Sequence, residues 1–596
     1  MSAAQSEEVD QGSPFSGSPY LNELALRMEK SASPTHLSME ELRAFLSDAL
    51  GDAKNGTAGR AMSDALEYYS QLADFYGYVF NDRTITPAAG KAVALPKLDP
   101  RDVEVLPDQP VVLSVLDEGV PFLHERTITH TGRSRFVSTW LQDAAGTKGQ
   151  LVQLPFGKAV DHEEIQRLIR SGVGKDVAYR SCGAIDRSMG GSQRYSERST
   201  HGAAILGLAA GQKTDNHLLM GVSFPPNAVR DTSGSLLPFF VLLGICFCLK
   251  RVQLLAEQLG KADAKRFKDI NVPLVFNLSY GVLAGPKDGS GMLERVMDAL
   301  SSLAPGDIKG VGQIRFVLPM GNGRLSQTSA TLGGTKDRRV ALRLAPDDRT
   351  PSYVEIWSSK SRKSKPSKPG LFVELSPPQS EDVKLVPVPA FGHYTDMTFA
   401  CGAHLRVYSV LRKSAAGFRE MLLLAFPSTT GDDRSDVIRP GDWTVELTAA
   451  TKDAVQVYVQ RDDGLHGLSS GGQQSRMHHP DYELRTAQGR LVRTDTPGSS
   501  CPVTRDGTVN AFANAASILR IGGTMGQSET TASYSALGVT DDVRDSEGDV
   551  LAPSDLSRLT PGILTAGLSS CSYFRVSGTS IAVPQVALAE VRKLSS

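Results

Sequence analysis

The chain has 596 residues, 40% hydrophobic and 22% charged, which is ordinary for a globular protein and long enough for two to four domains. The charges of its 65 acidic and 64 basic residues nearly cancel, so the overall charge does not indicate nucleic acid or an anionic membrane as a binding partner. The first residues are acidic where a secretion signal would be basic, and the six cysteines form no CxxC zinc spacing and no disulfide framework. We therefore expect a cytoplasmic protein.

The N-terminal region, residues 1–105, carries helical patterns. Ser38 with Glu41 three residues later is a capping box that predicts a helix start. Apolar residues at spacings of three and four predict a second, amphipathic helix over about Ala61–Phe80. The stretch Ile85–Pro110 holds five prolines and is typical of a linker.

From residue 106 onward the pattern changes to alternating strands and helices. Val111–Leu116, Leu274–Leu278 and Ile314–Leu318 are continuous apolar runs, as expected of parallel strands buried on both faces. Helical stretches separate them, among them Leu237–Leu259 and Gly291–Leu303. The alternation predicts an α/β fold with a doubly wound parallel sheet and helices on both faces, whose site lies at the carboxyl ends of the strands.

The most apolar stretch, Leu236–Leu249, is 14 residues long and contains Pro238. A bilayer span needs about 20 apolar residues, so we predict a buried core helix instead. Cys246 and Cys248, which lie in this stretch, are predicted to be buried free thiols.

Residues 324–507 interrupt the alternation of strands and helices, which resumes over 508–596. Short runs with strand character, separated by Pro, Gly and Asp clusters, predict a β-sandwich inserted into the α/β domain. The predicted strands are Arg339–Leu344, Tyr353–Trp357, Leu371–Leu375, Leu405–Leu411, Glu420–Phe426, Trp443–Leu447 and Val455–Val459.

Four residues are candidates for the chemistry of amide hydrolysis, which needs a hydroxyl, a base, an orienting anion and an oxyanion donor. Ser580 follows a glycine turn at a helix start, His201 begins a helix of small residues, and Asp117 ends a buried strand. Asn322 lies in a Gly-Asn-Gly turn after another strand. Taken singly, Asp117, His201 and Asn322 are better explained as a helix cap, a structural histidine and a turn residue, whereas the Ser580 motif favours a nucleophile over an ordinary N-cap. Their order and their common position at strand ends and helix starts favour one site.

These motifs resemble those of the subtilisin family of serine peptidases, peptidase family S8. Asp117-Glu118-Gly119 is similar to its Asp-x-Gly strand end, and His201-Gly202 to its His-Gly helix start. Gly321-Asn322 is similar to its oxyanion turn, and Gly578–Pro584 (GTSIAVP) to its nucleophile helix. The order Asp, His, Ser along the chain is that of subtilisin. The resemblance covers about 106–323 and 508–596, roughly half of the chain.

The resemblance implies a serine endopeptidase that hydrolyses peptide bonds in proteins through an acyl-enzyme intermediate. His201 would take the proton of Ser580, Asp117 would orient the imidazole, and Asn322 would bind the oxyanion. An Asn at this position and a histidine base also separate the chain from the sedolisins, which use a Glu base and an Asp. No cofactor is required and no catalytic metal is implied. Structural calcium is common among such relatives, but we identify no ligand set for it.

The resemblance also suggests where substrate would bind. The walls of the first specificity pocket would be Ser279-Tyr280-Gly281 and Pro319-Met320-Gly321. None of these six residues is acidic, so a preference for basic residues before the scissile bond has no support.

Three positions depart from the family pattern. Glu118 stands where the family usually has Ser or Thr, and a second carboxylate there either perturbs a neighbouring pKa or points into solvent. Gln585 replaces a usual histidine, and Ile581 replaces a methionine common next to the nucleophile. None of the three removes a group that the reaction needs.

Two alternatives stay open at the level of sequence. The chain could be a catalytically silent or latent binding protein on a subtilase scaffold, although all four candidate residues are retained. Residues 1–105 could be a self-cleaved inhibitor and folding chaperone, or a regulatory region that stays attached. Besides a protein substrate, a regulatory partner could bind through that region or through the β-rich insert, whose root we expect at the rim of the cleft.

Overall fold

The computed structural model describes residues 12–27, 37–74, 103–104, 106–145, 153–186, 194–213, 215–431, 437–464, 471–526, 530–536, 549–557 and 561–596. Within these ranges a helical N-terminal part is followed by alternating strands and helices, then by antiparallel strands, and finally by two more parallel strands and a long helix. Most of the predicted linker Ile85–Pro110 lies outside the described residues.

An eight-stranded sheet forms the centre of the α/β part, in the order β20-β19-β7-β6-β2-β5-β3-β4. Its neighbouring strands are parallel except for the edge pair of β3 with β4, which is antiparallel. The three apolar runs predicted as strands are β2, β6 and β7, and β2 lies between β6 and β5. The strands are β2 Val112–Asp117, β3 Phe136–Leu141, β4 Lys158–Asp161, β5 Leu218–Ser223, β6 Val272–Leu278, β7 Val311–Pro319, β19 Leu519–Met525 and β20 Asp549–Asp555.

Helices cover both faces of this sheet because its strands are apolar on both sides. Along β2, Val112 and Leu116 join one buried cluster, while Leu113 and Val115 join another on the opposite face. The α/β part contains α4 His162–Arg170, α5 Lys175–Ser181, α6 His201–Ala209, α7 Pro226–Arg230, α8 Leu237–Ala262, α9 Ala264–Phe267, α10 Met292–Ser301 and α11 Thr579–Ser595. This mixed α/β arrangement with a largely parallel sheet agrees with the predicted fold class.

Helix α8 contains the most apolar stretch of the chain. It is long and apolar enough to cross a membrane by length and composition, but 83% of its most apolar window is buried inside the protein. Cys246 and Cys248 are buried free thiols, as predicted. The predicted core helix is therefore confirmed.

Two antiparallel sheets lie within the predicted insert. One has the strand order β1-β13-β14-β15-β10-β17-β8, in which β1 (Ser13–Pro14) comes from the N-terminal region, and the other has the order β12-β11-β16-β9-β18. They enclose a buried cluster of their own, and every strand predicted here is present. The strands are β8 Ser329–Leu332, β9 Arg339–Leu344, β10 Ser352–Ser358, β11 Val373–Ser376, β12 Lys384–Leu385, β13 His393–Thr398, β14 His404–Ser414, β15 Gly417–Phe426, β16 Gly441–Leu447, β17 Val455–Val459 and β18 Arg476–His478. A short hairpin, β21 Ile563–Ala566 with β22 Tyr573–Val576, precedes α11.

The described part of the N-terminal region consists of β1 Ser13–Pro14, α1 Pro19–Arg27, α2 Met39–Leu50 and α3 Thr57–Tyr68. Ser38 caps α2 as predicted, since its hydroxyl accepts a hydrogen bond from the Glu41 amide at 3.3 Å.

The N-terminal elements touch both other parts of the molecule. Helices α2 and α3 share a buried apolar cluster with α8 and α10. Strand β1 pairs with β13 of the insert, and Glu23 of α1 forms an ion pair with Arg406 of β14 at 2.9 Å.

Candidate active site

The sheet brings the four candidate residues to one edge, because the carboxyl ends of parallel strands meet there. Asp117 is the last residue of β2, and Asn322 follows β7 by three residues. His201 is the first residue of α6 and Ser580 the second of α11. The motifs predicted at strand ends and helix starts thus occupy those positions.

Asp117 and His201 are in direct contact. Nδ1 of His201 lies 2.9 Å from each carboxylate oxygen of Asp117. The Asp117 side chain is fully buried, whereas the imidazole is 28% exposed. Burial lowers the pKa of His201, but the charge of Asp117 and its hydrogen bond outweigh burial, so the pKa is raised above its usual 6.5. Because Nδ1 is hydrogen-bonded to Asp117, Nε2 is the ring nitrogen that can take part in proton transfer.

The start of α6 is fixed against the end of β2 by backbone contacts. The Gly202 amide donates to the Glu118 carbonyl at 3.1 Å. The Thr200 hydroxyl donates to the Gly119 carbonyl at 2.8 Å and accepts from the Ala203 amide at 3.0 Å, which caps the helix. A Cβ on residue 202 would overlap the Glu118 carbonyl oxygen. Only glycine therefore lets α6 approach β2 closely enough for the Asp117–His201 contact.

Glu118, the departure from the family pattern, does not point into solvent. The residue is 2% exposed and its carboxylate pairs with the buried guanidinium of Arg194. Burial raises the pKa of the Glu118 carboxyl, and Arg194 opposes that rise. Arg194 was not identified from the sequence, because it lies in the short 3₁₀ segment Arg194–Ser196, which has no periodic pattern.

The Ser580 side chain lies in the first turn of α11. Its backbone carbonyl accepts a hydrogen bond from the Ser279 hydroxyl at 3.1 Å, which ties α11 to the end of β6. Among the described residues, the hydrogen bonds of His201 run to Asp117 and Glu118, and none reaches the Ser580 hydroxyl. Hydrogen bonds between a nucleophile and its base are often long before substrate binds.

Asn322 faces the start of α11 with a defined orientation. Its Oδ1 accepts hydrogen bonds from the backbone amide of Thr579 at 2.9 Å and from the Thr579 hydroxyl at 3.1 Å. Because Oδ1 accepts both of these bonds, the donor group Nδ2 points away from Thr579. A Cβ on Gly578 would lie 3.1 Å from Asn322 Nδ2 and 3.4 Å from Ser580 Oγ. A side chain at residue 578 would therefore crowd the amide donor and the hydroxyl.

The two predicted pocket walls lie at the carboxyl ends of the neighbouring strands β6 and β7 and are joined by a residue that the sequence did not indicate. Nδ2 of Asn510 donates to the carbonyls of Tyr280 and Pro319, each at 3.0 Å. The Asn510 amide also donates to the Met320 carbonyl at 2.7 Å. Asn510 is 2% exposed. The structure therefore brings both walls together.

Three of the predicted wall residues contact the start of α11 or His201. The Ser279 hydroxyl donates a hydrogen bond to the Ser580 carbonyl. The Tyr280 ring packs edge-on against the His201 imidazole, with 5.6 Å between the ring centroids. The Gly321 amide donates to the Thr579 hydroxyl at 3.1 Å. Gly281 packs against the Asn510 side chain, which leaves no room for a Cβ.

The insert contacts the loop that follows the first wall. The Gln460 side-chain oxygen, just after β17, accepts hydrogen bonds from the amides of Leu283 and Ala284 at 2.9 and 3.2 Å. Arg419 of β15 pairs with Asp288 at 3.1 Å. The insert is therefore anchored within a few residues of Tyr280. That its root lies at the rim of the cleft stays a prediction.

One group of candidate metal ligands is present among the described residues. Asp337, His479 and Asp481 have ligand atoms within 4.8 Å of one another. Both carboxylates are exposed, and His479 Nε2 already contacts Asp337 at 3.0 Å. The group lies in the insert, and we assign no metal to it.

Comparison with solved structures shows a structural likeness. No family model matches the sequence, and no curated protein matches it. A solved structure titled "Structure of the Clostridium Perfringens CspB protease" superposes with a TM-score of 0.54 at 16% identity. The match covers 82% of this chain and 83% of that chain. At this identity the likeness shows that the two chains share a fold.

Proposed function

We propose that the chain is a serine endopeptidase of the subtilisin type. The observation that carries the proposal is the contact of His201 Nδ1 with both carboxylate oxygens of Asp117 at 2.9 Å. It occurs at the sheet edge where Asn322 Nδ2 and Ser580 Oγ both lie close to the position that a Cβ on Gly578 would take, at 3.1 and 3.4 Å. A buried carboxylate, an imidazole, a hydroxyl and an amide donor on one edge are the groups that acyl transfer needs.

The proposed reaction begins when His201 Nε2 removes the proton of Ser580 as Oγ attacks the substrate carbonyl. Asp117 holds the imidazole tautomer and stabilises the imidazolium that forms. The developing oxyanion occupies the space beside Gly578, where Nδ2 of Asn322 donates to it. His201 then protonates the leaving amine, and water hydrolyses the acyl-enzyme by the same steps in reverse.

The shared fold supports the proposal without deciding it. The protein in the matching structure is named a protease, and the match spans most of both chains. The reaction type for this chain rests on its own residues, since a fold hosts unrelated activities.

Hydrolysis of an unfolded protein by the full-length chain tests the proposal. We expect wild type to release peptides from fluorescence-quenched casein, and Ser580→Ala and His201→Ala to release none above background. Cleavage by Ser580→Ala at the wild-type rate would mean that another group or a contaminant is responsible.

We further propose that the insert limits which proteins reach the cleft, since it is anchored beside the Tyr280 wall through Gln460 and Arg419. The expected selectivity is measured as the ratio of rates on an unfolded and a folded protein substrate. Deleting 330–500 should lower that ratio. A deletion variant that keeps hydrolysing short peptides and shows an unchanged ratio would refute the idea.

A further inference from the structure

Glu118, the residue after Asp117, places a second carboxylate next to the candidate catalytic residues. The guanidinium of Arg194 pairs with this carboxylate. The Glu118 and Arg194 side chains are each 3% exposed. Nη2 of Arg194 donates a hydrogen bond to Oε1 of Glu118, and Nε lies in ion-pair contact with Oε2. Nη1 of Arg194 donates to Glu197 at 2.6 Å. An ion pair this deeply buried, with contacts to both carboxylate oxygens, restricts the geometry of both partners.

Glu118 also contacts the first turn of α6 at two points. Its Oε1 accepts a hydrogen bond from the backbone amide of His201 at 3.3 Å. Its backbone carbonyl accepts one from the Gly202 amide at 3.1 Å. The position of the helix start relative to β2, and so the approach of His201 to Asp117, depends on this residue.

The two charges act on the imidazole in opposite directions. Glu118 raises the pKa of His201 and Arg194 lowers it, each less than burial and Asp117 do. The other titratable group that faces the imidazole is Tyr280, which burial keeps neutral by raising its pKa well above 10. Without Arg194, the imidazole would stand beside two uncompensated carboxylates, and its protonated form would be favoured.

We propose that Glu118 and Arg194 are a positioning pair for His201. The carboxylate holds the first turn of α6 against the end of β2, and the guanidinium cancels the charge of that carboxylate beside the imidazole. Neither residue touches the reacting atoms. The inference rests on the proposed function, because it concerns how the same imidazole works as a base.

A purely structural ion pair makes different predictions. It would change the stability of the protein when broken but leave the titration of His201 where it was. The readout that separates the two is therefore the pH at which His201 titrates, measured in variants that alter charge with little change in shape.

Three variants separate the contributions. Glu118→Gln keeps an acceptor oxygen for the His201 amide but removes the negative charge that Glu118 places beside the imidazole, so the acidic limb of kcat/KM should move down by about one pH unit. Arg194→Met should move it up by a similar amount. The double variant, which removes both charges, should return close to the wild-type limb.

The direct readout is ¹⁵N NMR titration of the His201 ring in the full-length chain, in a Ser580→Ala background that cannot cut itself. The His201 signal is assigned by its loss in His201→Ala. A Glu118→Gln variant that titrates at the wild-type pH would overturn the inference, whether or not Arg194→Met folds. Lack of hydrolysis by wild type would instead overturn the proposed function, and the NMR titration would still decide the inference.

Discussion

The backbone amide of Thr579 donates a hydrogen bond to Oδ1 of Asn322 at 2.9 Å, and the Thr579 hydroxyl donates a second at 3.1 Å. Two residues separated by 257 positions thus fix the orientation of the Asn322 amide beside Gly578. The residue next to the candidate nucleophile orients the candidate oxyanion donor, so both groups depend on one turn of α11.

Removing the donor should lower turnover more than substrate binding. For Asn322→Ala we expect kcat to fall by about 10²–10³ with KM little changed, the typical loss for one oxyanion donor. Steady-state kinetics on a peptide substrate measure both constants. A loss confined to KM would place Asn322 in substrate binding instead.

Loosening the orientation of Asn322 should have a smaller effect of the same kind. Thr579→Val loses the hydroxyl but keeps the backbone amide, so we expect kcat to fall by roughly 10-fold, about the value of one hydrogen bond. Thr579→Ser keeps the hydroxyl and is the matched control. Equal kcat in the Val and Ser variants would show that the hydroxyl does not orient the amide.

The close approach of α6 to β2 predicts a stability cost for any side chain at residue 202. In Gly202→Ala the Cβ would overlap the Glu118 carbonyl oxygen, and we expect a loss of about 1–3 kcal/mol in the free energy of unfolding, with impaired activity. Gly174→Ala is the control, because a Cβ there meets no atom within 4 Å. Urea unfolding curves that coincide for the two variants would contradict the argument.

Asn510 should matter to both stability and substrate affinity. Asn510→Leu leaves the Tyr280 carbonyl and the buried Pro319 carbonyl without this donor, and the buried one alone should cost about 1–3 kcal/mol. The change also removes the link that holds the two walls together. We expect a lower urea midpoint and a higher KM. Asn514→Ala loses a 2.8 Å bond to the Asn510 carbonyl but contacts neither wall, so it should leave KM unchanged. An unchanged KM in Asn510→Leu would show that Asn510 does not influence substrate binding through the two predicted walls.

The raised pKa of His201 fixes the direction of the pH dependence. The base must be neutral, so kcat/KM should fall as pH drops through the pKa of His201. Because that pKa is raised above 6.5 by Asp117, the midpoint of the acidic limb should lie above 6.5. A midpoint below 6.5 would show that the Asp117 charge does not control the imidazole.

Much of the fold and the positions of the candidate groups could be predicted because the signals are local. The apolar run ending in Asp117 specifies a buried parallel strand, and strand ends of one sheet converge. The strand pattern of Arg339–Leu344 and Val455–Val459 likewise specifies β9 and β17 to the residue. Such patterns depend only on neighbours in sequence.

What could not be predicted depends on contacts between distant segments. Glu118 pairs with Arg194, which is 76 positions away, and nothing in the local sequence of either residue selects the partner. Asn510 joins the pocket walls only because the chain returns from the insert at that point. Asp549–Pro553 belongs to strand β20 because it pairs in parallel with β19 along the sheet edge.

The most direct test of the central claim is labelling of Ser580 by a fluorophosphonate probe, which reacts with serines activated by a neighbouring base. We expect peptide mass spectrometry to find the probe on Ser580 in wild type, and none on that peptide in His201→Ala. Labelling that occurs only after limited proteolysis would identify a latent enzyme with the same nucleophile. No labelling of Ser580, before or after proteolysis, would contradict the account and favour a binding protein on this scaffold.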